Sequence, residues 1–236
     1  MKNFTTVLPS KLVRSLTLLL ISTSLLAITS CKKPQETTTP AISYLRIINA
    51  SPTLGTFDVY VNTQKANTAA LPFGGTIKYI RSSVSQWDLK FTIANDLDAV
   101  FTKSLTLSAD VAYSYYLIGK GANLDGLLIT DVMPTTATEK AYVKFINLSP
   151  DAPALSLNIV GGASLASNKA YKATSDFIAV DVKTQSFEIK DGAGIVKATL
   201  LDEPIQGGRY YTIIARGYLT PSNNDQNFSV QSIINQ

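Results

Sequence analysis

An internal repeat limits this chain to a fold built from two similar units. Residues 44–52 read YLRIINASP and residues 142–150 read YVKFINLSP. Every position is identical or similar except Ala50, whose counterpart is Leu148. The two segments are 98 residues apart (142 minus 44). We therefore expect a duplicated unit of about 90–100 residues, which is a normal size for a small domain.

Two further blocks repeat in the same order, with slightly different spacings. WDLK at 87–90 matches FEIK at 187–190 at an offset of 100 (187 minus 87). YYLI at 115–118 matches YYTI at 210–213 at an offset of 95 (210 minus 115). Offsets that change by a few residues indicate a duplication followed by insertions in loops.

Apolar and polar residues alternate in both copies, as they do in β-strands with one buried face. The alternation is clear in 57–62 (FDVYVN), 77–81 (IKYIR), 87–93 (WDLKFTI) and 187–190 (FEIK). Turn-forming pairs such as Asp191-Gly192 separate these segments. Short alternating strands between turns predict a sandwich or barrel. We predict an all-β chain with two tandem antiparallel, immunoglobulin-like β-sandwich domains of about seven strands each.

The chain divides into four predicted segments. Residues 1–30 form a lipoprotein signal peptide, and residues 31–43, polar and rich in threonine, form a disordered tether. The first β-sandwich repeat is predicted at 44–134 and the second at 140–236. The boundary follows Pro134, because proline interrupts strand pairing and the residues after it are polar.

The signal peptide prediction depends on the order of charge and hydrophobicity near the start. Lys2, Lys11 and Arg14 precede an apolar run from Leu16 to Ile28, and no acidic residue lies in 1–30. A basic segment, a short apolar segment and small residues before a cleavage point are typical of a secretory signal. The apolar run is shorter than the roughly 20 residues that a transmembrane helix needs.

Cys31 is the only cysteine, and it follows Ile28-Thr29-Ser30. An aliphatic residue, two small residues and a cysteine resemble the lipobox of bacterial lipoproteins. The resemblance implies lipid attachment at Cys31, with the membrane as a partner through three acyl chains, more than the two that stable anchoring needs. We expect a location in the bacterial cell envelope, at the outer membrane. Lys32-Lys33 stand where some lipoproteins carry an acidic export signal, so the periplasmic and the surface face both remain open.

The opening segment of each copy, a strand followed by Asn-x-Ser-Pro, is similar to the family called "domain of unknown function 4397". The second copy matches it through NLSPDAPA at 147–154, whereas the first departs at 53–56 and then keeps the next strand at 57–62. The resemblance covers nearly all of residues 44–220. It implies an immunoglobulin-like β fold outside the cytoplasm, and it implies no activity.

The composition argues against several classes of function. From Tyr44 onward the chain has 16 basic and 16 acidic residues, and no basic cluster of the kind that nucleic-acid binders carry is visible. The chain has no histidine, which excludes Ser-His-Asp and Cys-His catalysis and disfavours zinc and copper sites. We therefore predict no enzyme, no catalytic residue, no metal, no cofactor and no nucleic-acid partner.

Two weaker readings involve carboxylates. Asn95-Asp96-Leu97-Asp98 could supply oxygen ligands to calcium, but Asn and Asp are also the residues that favour a hairpin turn, and the turn is the preferred interpretation. Glu139, Glu188 and Glu203 are candidates for a glycosidase pair. Alternation at 187–190 instead predicts a solvated position for Glu188, and Glu203 adjoins Pro204 in a predicted turn.

The candidate binding residues come from the repeated Asn-x-Ser-Pro segments and from paired tyrosines. Side chains of Asn and Ser in such segments either contact a ligand or hydrogen-bond the backbone of a tight turn, and the turn is the preferred reading. One member of each tyrosine pair is expected to be exposed, where it could stack on a sugar or cover the junction of the two domains. The candidates are Asn49, Ser51, Asn147, Ser149, Asp151, Tyr116 and Tyr211.

Three functional hypotheses follow. The first is a non-catalytic binding or adhesion module for glycan or protein, anchored to the envelope. The second is a structural accessory subunit of an envelope complex, in which sheet edges pair with a partner. The third and weakest is a carbohydrate-active enzyme.

Overall fold

The computed structural model describes residues 42–83, 85–133 and 138–235. These residues form β-strands and one short 3₁₀ helix, Gly121–Asn123, and contain no α-helix, which confirms the all-β prediction. No helix within these ranges is long and apolar enough to span a membrane. The predicted signal peptide, Cys31 and nearly all of the tether lie outside the described residues.

Each half of the described chain contributes eight strands, one more than the seven expected. The strands of the first half are β1 Ser43–Asn49, β2 Phe57–Val61, β3 Gln64–Lys65, β4 Thr76–Ser82, β5 Gln86–Ile93, β6 Ala99–Thr106, β7 Ala112–Ile118 and β8 Asp125–Thr130. The strands of the second half are β9 Lys140–Leu148, β10 Leu155–Ile159, β11 Ser164–Lys169, β12 Ile178–Asp181, β13 Thr184–Lys190, β14 Val196–Pro204, β15 Tyr210–Arg216 and β16 Ser229–Ile234.

The described strands form four sheets, two in each half, and the two halves have the same strand order. The first half has sheets β4-β1-β7-β8 and β3-β2-β5-β6, and the second has β12-β9-β15-β16 and β11-β10-β13-β14. The sheets are not purely antiparallel as predicted, because β1 pairs with β7 and β9 with β15 in parallel. In each half the chain has crossed to the other sheet and returned before it forms this parallel ladder.

The strand pairing corrects the offsets of 100 and 95 that the sequence blocks suggested. The strand bounds give an offset of 98, because β2 and β10 begin at 57 and 155, and β5 and β13 begin at 86 and 184. The pairing agrees, since Val61 pairs with Leu89 in the first half and Ile159 with Phe187 in the second. Val61 and Ile159 are 98 residues apart (159 minus 61), and so are their partners Leu89 and Phe187 (187 minus 89). The block alignment was wrong by two residues here, because a shift of two along a strand keeps the same alternation of buried and exposed side chains.

The last block shows a larger error of the same kind. Tyr44 lies beside Ala112 in the first parallel ladder, and Tyr142 lies beside Tyr210 in the second. Ala112 and Tyr210 are therefore equivalent, again 98 residues apart (210 minus 112). The similar tyrosine doublets were misleading, since they occupy positions in β7 and β15 that differ by three residues.

Each half has its own apolar core between its two sheets. In the first half Trp87 and Phe91 of the outer sheet pack against Leu45 and Tyr115 of the inner sheet. The second half repeats this arrangement with a separate buried cluster. That cluster includes Val143, Phe145, Leu157, Phe187, Ile189, Tyr211 and Ile213.

A third buried cluster joins the halves, because the inner sheets pack against each other as well. The strands β1, β7, β9 and β15 are buried on both faces. The members of the cluster alternate with the core residues along these strands and on β16. They are Ile48, Ala50, Tyr116, Ile118, Ile146, Leu148, Ile214 and Ile233. The sheets therefore stack in four layers, with the two inner sheets at the centre.

A buried polar network lies at one side of this central interface, around the carboxylate of Asp131. Its Oδ1 accepts hydrogen bonds from Lys144 Nζ at 2.9 Å and Asn235 Nδ2 at 3.1 Å. Its Oδ2 accepts from Tyr79 Oη and from Ser114 Oγ, both at 2.6 Å. The side chain of Asp131 is fully buried and joins groups from both halves. Since a buried charge is costly unless paired and hydrogen-bonded, this carboxylate ties the halves together.

The network has approximate two-fold symmetry, which follows from the duplication. Arg46 and Lys144 occupy equivalent positions, and each cation lies over an aromatic ring at an equivalent position. The guanidinium of Arg46 is 4.4 Å from the ring centre of Tyr79, and the ammonium of Lys144 is 4.6 Å from that of Phe177. Arg46 also lies 3.8 Å from the Asp131 carboxylate.

We predict that Asp131→Ala destabilises the fold by about 3–5 kcal/mol, because it leaves two buried cations without their carboxylate. The measurement is denaturant unfolding followed by the fluorescence of Trp87, the single tryptophan, and by circular dichroism. Asp176→Ala is the control, since Asp176 is exposed, and we expect a change within about 0.5 kcal/mol. Equal stability of the two variants would contradict the role assigned to Asp131.

Candidate functional site

The Asn-x-Ser-Pro segment of the first half is a buried turn. The side-chain oxygen of Asn49 accepts a hydrogen bond from the backbone N–H of Ser51 at 3.0 Å. The Ser51 hydroxyl donates to the carbonyl of Gly119 at 2.6 Å, just after β7. Gly119 has a φ of 70° and a Cβ there would lie 2.1 Å from the carbonyl oxygen of Asn123, so only glycine fits.

The second half makes the same bonds. Ser149 N donates to Asn147 Oδ1 at 3.1 Å, and Ser149 Oγ donates to the carbonyl of Gly217 at 2.7 Å. Asp151 is exposed, but its carboxylate accepts from the backbone N–H groups of Leu219 and Thr220 at 2.9 and 2.8 Å. The Asn and Ser side chains of both segments therefore hold the start of one strand to the loop that follows another. These Asn and Ser side chains are buried. Their contact with a ligand stays a prediction.

The two candidate tyrosines are also buried, and the structure does not bring them together. The expectation that one member of each tyrosine pair is exposed was wrong, since both members of both pairs are buried. Tyr116 belongs to the interface between the halves. Burial raises the pKa of its hydroxyl. Tyr211 lies in the core of the second half, where its hydroxyl accepts from Gln206 N at 2.9 Å. Tyr113, the equivalent of Tyr211, accepts from Ser108 N at 3.3 Å in the first half. Such a bond to the preceding loop resembles a tyrosine corner.

The acidic segment 95–98 forms the turn between β5 and β6. Asn95 has a φ of 68°, and the Asp96 carboxylate accepts from the N–H of Asp98 at 3.1 Å, as in an Asx-turn. In the described ranges, no three His, Cys, Asp or Glu side chains come close enough to hold a metal. Glu188 forms an ion pair with Lys190 at 2.5 Å, and Glu203 lies within β14 rather than in the turn expected.

A concave surface of about 490 Å³ lies where the loops of the two halves meet, and we call it the tyrosine cleft. Two half-buried tyrosines, a proline and several charged or polar side chains line it. These residues are Lys120, Asn123, Asp125, Pro150, Tyr171, Lys172 and Tyr218. Pro150 belongs to the Asn-x-Ser-Pro segment of the second half, so the repeated motif forms one wall through its proline.

Tyr218 is placed by a loop that has no counterpart of equal length in the first half. The offset between equivalent residues is 98 up to β15, but Thr130 of β8 and Ile234 of β16 differ by 104 (234 minus 130). The loop between β15 and β16 is therefore six residues longer than the one between β7 and β8. The Asp151 carboxylate accepts hydrogen bonds from the backbone N–H groups of Leu219 and Thr220, the two residues that follow Tyr218 in this loop.

An ion pair fixes the far part of this loop to the first half. The carboxylate of Asp225 lies 2.5 Å from Lys120 Nζ and accepts from the N–H of Ser222 at 3.0 Å. Lys120 and Ser222 lower the pKa of Asp225 to about 2. The carboxylate is therefore ionised throughout the neutral range. The Lys120 ammonium also lies 4.9 Å from the ring centre of Tyr218, which orients that wall of the cleft.

The long loop also contacts the Asn-x-Ser-Pro segment of the first half. Pro52 and Thr53 are equivalent to Pro150 and Asp151 by the 98-residue offset. The backbone N–H of Gln226 donates to the Pro52 carbonyl at 3.1 Å, and its side chain donates to the Thr53 carbonyl at 3.2 Å. The loop therefore covers the first Asn-x-Ser-Pro segment, while Pro150 of the second remains in the wall of a cleft.

The other tyrosine of the cleft lies beside a second ion pair. Lys172 Nζ is 2.8 Å from Asp125 Oδ2 and 5.4 Å from the ring centre of Tyr171. Burial raises the pKa of Tyr171 to about 12, so its hydroxyl remains a hydrogen-bond donor at neutral pH. Paired aromatic rings with nearby donors and acceptors suit a ligand that has both apolar faces and hydroxyl groups.

The sequence reasoning missed Tyr171, and a strand pattern could not have found it. Tyr171 lies in the turn after β11, outside the alternating segments, and nothing near it in sequence indicates a site. Tyr218 follows the end of β15 and also lies outside the alternating segments. The two residues are 47 positions apart, and the fold of the second half brings them to one surface, where the turn after β11 and the loop after β15 both contact the segment Asn147–Ser149.

Residues 43–158 match the model of the family described as "Domain of unknown function (DUF4397)". This match supports the family resemblance seen in the sequence for the first half and for β9 and most of β10. No curated protein has a sequence that matches this chain.

Two solved structures resemble the fold weakly. One is CBMbc (family CBM26) from Eubacterium rectale Amy13K in complex with maltoheptaose, at 11% identity over 81% of this chain and 95% of that one, with a TM-score of 0.26. The other, described as alpha-glucan binding by a streptococcal virulence factor, has 12% identity over 73% of this chain and 92% of that one, with a TM-score of 0.25. TM-scores this low support no functional inference.

We predict that Ser149→Ala lowers the free energy of unfolding by about 1–3 kcal/mol, because it removes a buried hydrogen bond to Gly217. Chemical denaturation measures the change, with Ser164→Ala at an exposed position as the control. If Ser149→Ala kept full stability but abolished binding of a ligand, the segment would be a binding site rather than a turn.

Proposed function

We propose that this chain is a non-catalytic glycan-binding module of the cell envelope and that the tyrosine cleft is its binding site. The observation that carries the proposal is the meeting of Tyr171, Tyr218 and Pro150 in one concave surface with charged side chains at its rim. Sugar rings present apolar faces that stack on aromatic rings and hydroxyl groups that hydrogen-bond to polar side chains. The cleft volume of about 490 Å³ lies in the range of small-molecule sites.

The state of the carboxylates in and beside the cleft supports binding rather than hydrolysis. Asp125 is paired with Lys172, and Asp225 is paired with Lys120. Both ion pairs lower the pKa of the carboxyl groups. A glycosidase needs one carboxyl group whose pKa is raised so that it can donate a proton. Neither of these two groups has that property.

We further propose that the second half is a second copy of the same family unit. Equal strand order, matching registers at an offset of 98 and equivalent Asn-Ser-Gly hydrogen bonds support this. Duplication also accounts for the cleft. Two copies that pack face to face create paired loop junctions, and an insertion in one copy then distinguishes them.

The proposed location is the outer membrane of a bacterial envelope, with Cys31 as the lipid attachment site. The support comes from the sequence: a basic and then apolar leader, a lipobox-like Ile28-Thr29-Ser30-Cys31 and a polar tether. A tether of about ten residues would hold the β domains away from the lipid surface while keeping them near it.

We predict that Tyr171→Ala and Tyr218→Ala each weaken glycan binding about tenfold or more, because each removes one stacking platform. A glycan array identifies a ligand for the purified protein, and calorimetry with that ligand then measures the affinity of each variant. Tyr44→Ala is the matched control, since Tyr44 is 37% exposed and lies outside the cleft.

The result has two informative outcomes. Loss of binding in both cleft variants, with normal binding by Tyr44→Ala and unchanged folding, supports the cleft as the site. A neutral glycan ligand whose affinity is the same in all three variants would place binding elsewhere and remove the tyrosine cleft from the proposal.

We predict that Cys31→Ala releases the protein from membranes, because no lipid can then be attached. Cell fractionation and intact mass measure the change, and wild-type protein should carry the added mass of the lipid. A variant that stays in the membrane fraction with the same mass as the wild type would show that the anchor assignment is wrong.

A second candidate function is that of an accessory subunit, and the outer sheets give it some support. The edge strands β6 and β14 carry exposed apolar side chains, with Val100, Val196 and Leu201 at 44%, 45% and 68% exposure. An open edge with apolar residues can pair with a strand from another protein. Stoichiometric co-purification of a membrane partner, lost on Leu201→Lys, would favour this function over glycan binding.

A further inference from the structure

A second concave surface, of about 610 Å³, lies between the edge strands β4 and β16 of the two inner sheets. We call it the β4–β16 groove. Its lining residues include Arg46, Lys78, Tyr79, Arg209 and Gln231. None of the described residues that line it is Asp or Glu. The groove therefore presents three cationic side chains and no carboxylate of its own.

Arg46 also belongs to the buried network behind the groove, and the net positive charge of that network includes it. The side chains of Arg46 and Lys144 are each 4% exposed, and both are paired with the single carboxylate of Asp131. Two buried cations against one carboxylate leave an excess of one positive charge. Because charges interact strongly where water is excluded, an anion in the adjoining groove would be stabilised by this excess.

The duplication provides an internal comparison. The equivalent surface, between β8 and β12, is about 300 Å³ and is lined by Lys144, Asp176 and Phe177 among others. By the 98-residue offset these residues correspond to Arg46, Lys78 and Tyr79 of the β4–β16 groove. Lys78 of the β4–β16 groove thus corresponds to Asp176 of the equivalent surface. The two surfaces are formed by equivalent strands. The β4–β16 groove is the larger of the two and has no Asp or Glu in its lining.

One polar atom on β16 indicates what else the ligand carries. Gln231 Oε1 is buried and makes no hydrogen bond within the protein. Ser232 lies on the opposite face of the strand, with Val230 over the core of the second half, and is not part of the site. The amide nitrogen of Gln231 is already used, since it donates to the Gly74 carbonyl at 3.0 Å. An amide oxygen only accepts hydrogen bonds, so Oε1 needs a donor, and a hydroxyl group is a suitable one. Buried polar atoms without partners are uncommon in native proteins and call for an explanation.

From these observations we propose that the β4–β16 groove binds an acidic saccharide, whose carboxylate lies near Lys78 and Arg209 and one of whose hydroxyl groups donates to Gln231 Oε1. Arg46 supplies charge from the wall, and Tyr79 lies beside it as a half-buried ring. Lys78 and Arg209 are exposed and free to approach a ligand. This site is distinct from the tyrosine cleft and does not depend on it.

The test uses the full chain, purified in detergent, and oligogalacturonate as the probe. We expect calorimetry at low salt to show binding that weakens at high salt, and no binding of the methyl-esterified oligomer, which lacks the charge. Lys78→Asp, which copies the residue of the equivalent groove, and Arg209→Glu should each reduce affinity about tenfold or more. Lys183→Asp, at an exposed position outside the groove, is the matched control and should bind like the wild type.

Three results would overturn the proposal: no binding of oligogalacturonate, equal binding of the methyl ester, or equal affinity in Lys78→Asp and wild type. Binding to vesicles of anionic lipid without binding to oligogalacturonate would also overturn it, since the ligand would then not be a saccharide. Trp87 fluorescence checks that each variant is folded. Tyr171→Ala should bind oligogalacturonate normally, which separates this site from the tyrosine cleft.

Discussion

The packing of the two inner sheets against each other is the constraint on which the rest of this structure depends. Eight apolar side chains and the buried carboxylate of Asp131 hold the halves together. Apolar contact alone is non-directional, whereas Asp131 must meet Lys144, Asn235, Tyr79 and Ser114 at defined positions. The apolar cluster therefore supplies burial, and the polar network sets the register in which the halves meet.

That register determines where concave surfaces form. Because the halves are related by approximate two-fold symmetry, each surface between them has an equivalent, and differences between the copies decide which one is open. At the loop ends, a six-residue insertion covers Pro52 and leaves Pro150 exposed to the tyrosine cleft. At the strand edges, Lys78 in one copy and Asp176 in the other give the two grooves opposite charges at equivalent positions. Both proposed sites arise from the duplication and from its later divergence.

Local sequence patterns predicted most of the strands and the turns between them. Alternation placed 57–62 and 87–93 in strands, and Asn-x-Ser-Pro was preferred as a turn, in agreement with the hydrogen bonds of Asn49 and Ser51. The block offsets were wrong because similarity of side chains does not report which residues are paired. The candidate tyrosines Tyr116 and Tyr211 lie in the interior because β7 and β15 are covered on both faces, which a pattern within one strand does not reveal.

The sequence by itself determined most of the secondary structure and the internal repeat, because these depend on short-range periodicity and on the similarity of two segments. It also determined the absence of histidine chemistry, which depends on composition alone. Only the tertiary structure decided that the inner sheets are buried on both faces and that Tyr171 and Tyr218 share a cleft. It alone revealed that Arg46 and Lys144 share one carboxylate. These features join residues far apart in the chain, and their positions follow from the packing of whole sheets rather than from any local pattern.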